Sequence, residues 1–172
     1  MCINGIIAAG GTCALLLAGC APGQVNASSA VLEFDTGGAY HPGGAGEWVV
    51  RVTGTGEMSV RQQVREAVRD YGTFRLSAGE TQALWRAIDE ADLSKLRSST
   101  RSGVPDEVQL SLRLVAEGRT CEASVWEDDA LENRRLARMA AWLGMLVKRY
   151  TKVPEVIGFG DLADAADESS HK

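Results

Sequence analysis

The hydrophobic pattern changes period several times along the chain, and each change marks an element. From Met58 to Val64 (MSVRQQV), Met58, Val60 and Val64 fall on one side and Ser59, Arg61 and Gln63 on the other. A period of two over this length predicts a strand in a sheet with one wet face. Glu47 to Thr53 (EWVVRVT) reads as its neighbour, and Gly54-Thr55-Gly56 joins the two as a hairpin. Val31-Leu32-Glu33-Phe34 predicts a short strand that breaks at Gly37-Gly38, where a glycine-rich stretch with Pro42 predicts a loop. Phe74 and Leu76 predict another short strand after Tyr71-Gly72. Farther on, Val108, Leu110, Leu112 and Leu114 alternate with Gln109, Ser111 and Arg113; Glu117-Gly118 turns the chain, and Thr120 to Trp126 returns.

Two segments follow the helical period. Ser77-Ala78-Gly79-Glu80 is a capping box, in which serine and glutamate side chains satisfy each other's backbone N–H groups. The helix it starts places Leu84, Trp85, Ile88 and Ala91 on one stripe and ends near Asp92-Leu93. Arg97 to Pro105 (RSSTRSGVP) is a polar connector. Leu131 to Tyr150 predicts one long helix, with Leu136, Met139, Ala140, Leu143, Val147 and Tyr150 on its apolar face and Pro154 beyond its end. The order strands, helix, hairpin, helix predicts an α+β fold: an antiparallel β-sheet of about five to six strands with two helices packed on one face.

The first apolar run stands outside this scheme. Ile6 to Gly19 carries no charge and ends in Leu17-Ala18-Gly19-Cys20. An apolar core of about 7–15 residues ending in small residues is a secretory signal. The last four residues match the bacterial lipobox, which implies cleavage between Gly19 and Cys20 and lipidation of the Cys20 sulfur. Met1 to Gly5 lacks the Lys or Arg that such signals normally carry. The expected organisation is a signal peptide over 1–19, a flexible tether over 20–30, one domain over 31–157 and a disordered acidic tail over 158–172. A mature lipoprotein carries two or three acyl chains, each buried CH₂ contributing about 0.8 kcal/mol, so anchoring is firm. The expected location is extracytoplasmic, at the cell membrane or the outer membrane. Ala21-Pro22 after the cysteine lacks the aspartate that retains lipoproteins at the inner membrane of some enteric bacteria, which favours the outer one.

Composition narrows the chemistry. The net charge is −5, which argues against nucleic acid as a partner. Of the four cysteines, Cys2 and Cys13 lie in the leader and Cys20 takes the lipid, so Cys121 has no disulfide partner and reads as a small buried hydrophobe. His41 and His171 are the two histidines, too few for zinc sites of the His/Cys kind or Ser-His chemistry. Asp106-Glu107 precedes a strand; Glu127-Asp128-Asp129 precedes the long helix and reads as charge that complements the macrodipole and caps free N–H groups. Asp161, Asp164 and Asp167 read as solvated charge. No cofactor, metal or catalytic residue is assigned, and the chain is read as non-catalytic. The remaining candidate is a protein-binding surface: Trp142 and Met145 lie off the apolar stripe of the last helix beside Arg138 and Arg149, a composition typical of interface hot spots. Trp142 lies about 100° from the stripe centre, so covering the edge of the core is its other reading.

The element order, the early Gly37-Gly38 pair after LEFDT and the segment LSAGETQALWRAIDEADL at 76–93 resemble the emfourin-like family over Val31 to Tyr150. That small bacterial family includes inhibitors of thermolysin-type metallopeptidases. The resemblance implies a non-catalytic binding domain and, as an alternative function, peptidase inhibition; it transfers no inhibitory residue. The lipobox leader and the insertion around Tyr40 to Gly46 depart from the family pattern. A carboxylate-dependent hydrolase using Asp106 or Glu127 is the third expectation.

Overall fold

The computed structural model of the chain describes residues 29–37, 46–104 and 107–153. Six antiparallel strands form one sheet: β1 (Val31–Gly37), β2 (Glu47–Thr53), β3 (Glu57–Val64), β4 (Ala67–Arg75), β5 (Gln109–Ala116) and β6 (Arg119–Trp126), in the order β4-β3-β2-β1-β5-β6. Among the described residues three helices accompany the sheet: α1 (Ala78–Ala91), α2 (Glu127–Glu132) and α3 (Arg134–Thr151). The expected α+β class is what the chain adopts.

Alternation dictates which face of the sheet is covered. Leu32 and Phe34 of β1, Val50 and Val52 of β2, Met58 and Val60 of β3 and Leu110 of β5 are fully buried. Their odd-numbered neighbours point to the other face and remain partly or wholly exposed. The helices bring Leu84 and Ile88 from α1 and Leu136, Met139, Leu143 and Leu146 from α3 onto the buried face. Both sheet ends are defined by β1. At its Val31 end lie the turns after β2 and β5, the start of α1 and the end of α3; at its Gly37 end lie the β3–β4 turn, the α1–β5 connector and α2.

Several boundaries differ from the sequence expectation, for local physical reasons. β1 continues through Thr36 to Gly37 because β2 and β5 pair with it on both sides that far. β4 starts at Ala67, well before the expected short strand, and leaves Leu76 outside it. Its apolar pattern is obscured by a bulge: Val60 pairs with Gly72 and Arg61 with Asp70, so Tyr71 is an extra residue. Gly72 takes φ +91°, and its N–H donates to Asp70 Oδ1 at 2.7 Å. Tyr71 stacks on Trp48 at 5.5 Å while the Arg69 guanidinium covers it at 4.7 Å.

The expected single long helix is two. Asn133 breaks it at φ −90°, ψ 85°, and its side chain accepts from the Leu136 N–H, capping α3. The apolar face of α3 is as expected, with Ala137, Gly144 and Leu146 added to it. Cys121 is a free thiol that is only partly buried, whereas Ala123 and Val125 on the same side of β6 are buried. It lies nearer the turn end of an edge strand, where cover is thinner.

Opposite one another on β1 and β2, Thr36 and Trp48 are both buried, and neither Thr36 Oγ1 nor Trp48 Nε1 has a hydrogen-bond partner among the described residues. An unsatisfied buried hydroxyl is a net cost. Thr36→Val is therefore expected to stabilise the fold by about 1 kcal/mol, measured as a higher urea midpoint; a loss of stability would show that the hydroxyl is satisfied after all.

Candidate functional site

The residues singled out as a partner surface, Arg138, Trp142, Met145 and Arg149, form one ridge along α3 at spacings of four, three and four. The structure brings all four together and commits two of them to α1. Arg149 donates to Glu80 Oε1 at 2.5 Å, and Arg138 reaches Glu90 at 3.8 Å. α1 and α3 are thus antiparallel, bridged by an ion pair at each end of the ridge. Between these bridges Trp142 is partly buried against the core, its Nε1 enclosed without a hydrogen-bond partner among the described residues, while Met145 is 39% exposed. Trp142 therefore contributes to packing, and Met145 is the apolar side chain that the ridge offers to solvent.

Glu80 is the most heavily engaged carboxylate of the helix pair. Its Oε2 accepts from the Ser77 N–H at 2.9 Å, the Ser77 hydroxyl at 2.7 Å and the Tyr150 hydroxyl at 2.8 Å. The capping box expected at Ser77 is present in both directions. These donors, Ser77 foremost, hold the Glu80 carboxyl at a pKa of about 2. Tyr150 also stacks obliquely on Phe74 at 5.5 Å, fixing the end of α3 to β4.

A second polar cluster organises the Gly37 end. Arg101 donates to both oxygens of Glu107 and, through Nε, to Asp129 Oδ1 at 2.8 Å. Ser99 donates to Asp129, and the Trp126 indole N–H donates to the Arg101 carbonyl at 3.2 Å. Gly103 lies flat on that indole; a Cβ there would come within 2.6 Å of the ring. The connector also covers β6, with the Ser99 N–H donating to the Ser124 carbonyl at 2.9 Å. The acidic triplet meets its expected role in part. It occupies the first turn of α2, but Trp126 at the cap position offers no side-chain bond. The Asp128 N–H is instead met by Glu107 at 3.4 Å, and Asp129 is spent on Arg101 and Ser99. Arg101 foremost holds the Glu107 carboxyl at about 2.

The uncovered sheet face carries a cross-strand row that the sequence reading missed. Glu33 lies opposite both Arg51 and Arg113, and Arg113 in turn lies opposite Glu122. The contacts are 3.6, 3.0 and 2.9 Å. All are exposed to solvent, which screens them, so each contributes little to stability. Two residues on, Asp35 and Glu47 bring their carboxyls together, and burial foremost raises Asp35 to about 7. Only the pairing register could have revealed either arrangement.

Gly19, Cys20, His41, Asp106, Asp161, Asp164, Asp167 and His171 lie outside the described residues. Among the described residues no group of three or more His, Cys, Asp or Glu side chains could hold a metal ion, and no helix is long and apolar enough to cross a membrane. No protein-family model matches the chain, and no curated protein does.

Two outcomes test this arrangement. Trp142→Ala should lower stability by about 2–3 kcal/mol, toward the low end for loss of a core tryptophan, measured by urea denaturation. Glu107, like Glu80, has a folded pKa below its ordinary value of 4.5. Its stabilisation is complete above that value and is lost as pH falls toward 2, so Glu107→Gln should flatten the decline in stability between about pH 5 and pH 2.

Proposed function

We propose that the protein is a lipid-anchored envelope component whose α+β domain is a non-catalytic binding module for another protein. The observation that carries this reading is the Leu17-Ala18-Gly19-Cys20 sequence placed ten residues before Ala30. Ala30 is 1% exposed, and its carbonyl accepts from the Gly54 N–H at 2.7 Å, so it already belongs to the folded domain. Ten extended residues reach at most about 36 Å. With Cys20 acylated, the tether joins the domain at the Val31 end of the sheet, opposite the Gly37 end with α2 and the Arg101 cluster. The α3 ridge runs between the two ends, with Arg149 toward the Val31 end and Arg138 toward the Gly37 end.

Around the helices, what supports a binding role over catalysis is that the acidic groups are committed to structural partners. Glu107 and Asp129 are consumed by Arg101, and Glu80 by Ser77, Tyr150 and Arg149. Inhibition of a thermolysin-type metallopeptidase is the second reading. It rests on the emfourin-like order of elements, and peptidase assays with the purified protein address it directly.

Metabolic labelling with an alkynyl fatty acid should mark the wild-type chain and leave Cys20→Ala blank; an unlabelled wild type would end the anchored reading. Crosslinking of the anchored protein in its native envelope, with Met145→Glu as the ridge variant, should lose partner capture without moving the thermal midpoint. Capture by Met145→Glu equal to wild type would remove the ridge from the interface.

A further inference from the structure

Asp35 and Glu47 face each other diagonally on the uncovered side of the two central strands. The β1–β2 register sets Asp35 opposite Val49 and Thr36 opposite Trp48, which brings Glu47 beside Gly37. Both carboxyls converge over that glycine: a Cβ on Gly37 would lie 3.5 Å from Asp35 Oδ1 and 3.8 Å from Glu47 Cδ. That proximity, on top of burial, raises the proton affinity of Asp35. Two carboxylate oxygens cannot hydrogen-bond unless one carries a proton, because an ionised carboxylate only accepts.

Among the described residues, the surroundings offer this pair no counter-charge. On β1 itself, Glu33 is the nearest like charge, and it is matched by Arg51 of β2 and Arg113 of β5. On β5 the residue opposite Asp35 is Ser111, flanked by Gln109 and Arg113, and Arg113 is bound to Glu33 and Glu122. On β3 the residue opposite Glu47 is Gln63, and Arg61 lies across from Val49, one strand removed from Asp35. On β6 the same rows hold Ser124 and Trp126, with Glu122 one row below. Among the described residues neither carboxyl has an ion-pair partner within 4.0 Å. Neutralising one carboxyl by a proton is then the way to keep both partly buried groups together.

We propose that Asp35 and Glu47 share a single proton, and that this proton clasps the Gly37 ends of β1 and β2 as a pH-sensitive device. The direction follows from linkage. A carboxyl whose folded affinity for the proton exceeds its unfolded affinity stabilises the fold at low pH, and that stabilisation is lost as pH rises through the folded value. The window therefore lies between the ordinary aspartate value of 3.8 and about 7. It runs opposite to that of Glu80 and Glu107, which favour the neutral side.

The test uses the full chain in detergent micelles with ¹³C-labelled Asp and Glu carboxyls. The Asp35 resonance, assigned by its loss in Asp35→Asn, should titrate near neutrality and move at least about one unit lower in Glu47→Gln. Hydrogen exchange, corrected for its intrinsic pH dependence, should show protection of the Trp48 to Val50 amides falling several-fold as pH rises past neutrality, and staying level in either variant. An Asp35 carbon that titrates in the ordinary carboxylate range, or wild-type protection that is level with pH, would overturn the proposal. Sequential backbone correlation assigns the same carbon in the wild type, so its titration needs no variant to fold, and its site resolution keeps the signal apart from that of either histidine.

Discussion

The structure depends on one strand being paired on both sides. β1 takes β2, close in sequence, along one edge and β5, about eighty residues later, along the other, and both pairings are antiparallel and in register from Val31 to Thr36. Leu32 and Phe34 are fully buried because this double pairing places them at the centre of the covered face. A one-residue slip would exchange Phe34 for Glu33 or Asp35 in the core, so burial fixes the register on both edges at once. The charge row of the open face, Arg51 and Arg113 about Glu33, is the same register seen from its other side.

The two edges of the sheet are managed differently. The connector between α1 and β5 runs along β6 and takes up part of its backbone hydrogen bonding through Ser98 and Ser99, held there by Arg101, Glu107 and Asp129. At the opposite edge, β4 is interrupted by the Tyr71 bulge and carries Arg69, Asp70 and Arg75. A bulge and charges on an edge oppose pairing with another chain, as does a covering segment. Two unrelated local devices thus limit the same hazard.

Much of the fold was legible because burial follows period. The alternation in β2, β3 and β5 and the stripe of α1 are direct consequences of one-sided cover, and the Ser77 box announced the start of α1 correctly. The exceptions have local causes. β4 has an extra residue that breaks its alternation, and Asn133 interrupts a hydrophobic pattern that continues across it, so period alone joins α2 to α3. For the candidate surface, helical spacing placed Arg138, Trp142, Met145 and Arg149 on one ridge. It could not show that both arginines are bound to α1, because Glu80 and Glu90 lie in a distant part of the sequence. Asp35 and Glu47 were invisible for the same reason: nothing in either strand alone says which carboxyls the register will bring together.

Glu80 ends one helix and begins another. Its two oxygens collect the free groups at the start of α1 together with Tyr150 and Arg149 from the last turn of α3, seventy residues away. Fraying of the two termini is therefore a single event, not two. A protease that trimmed the chain back past Tyr150 would take a hydrogen-bond donor from the cap of a helix in the middle of the sequence, so damage at the C-terminus would be felt where the first helix leaves the sheet.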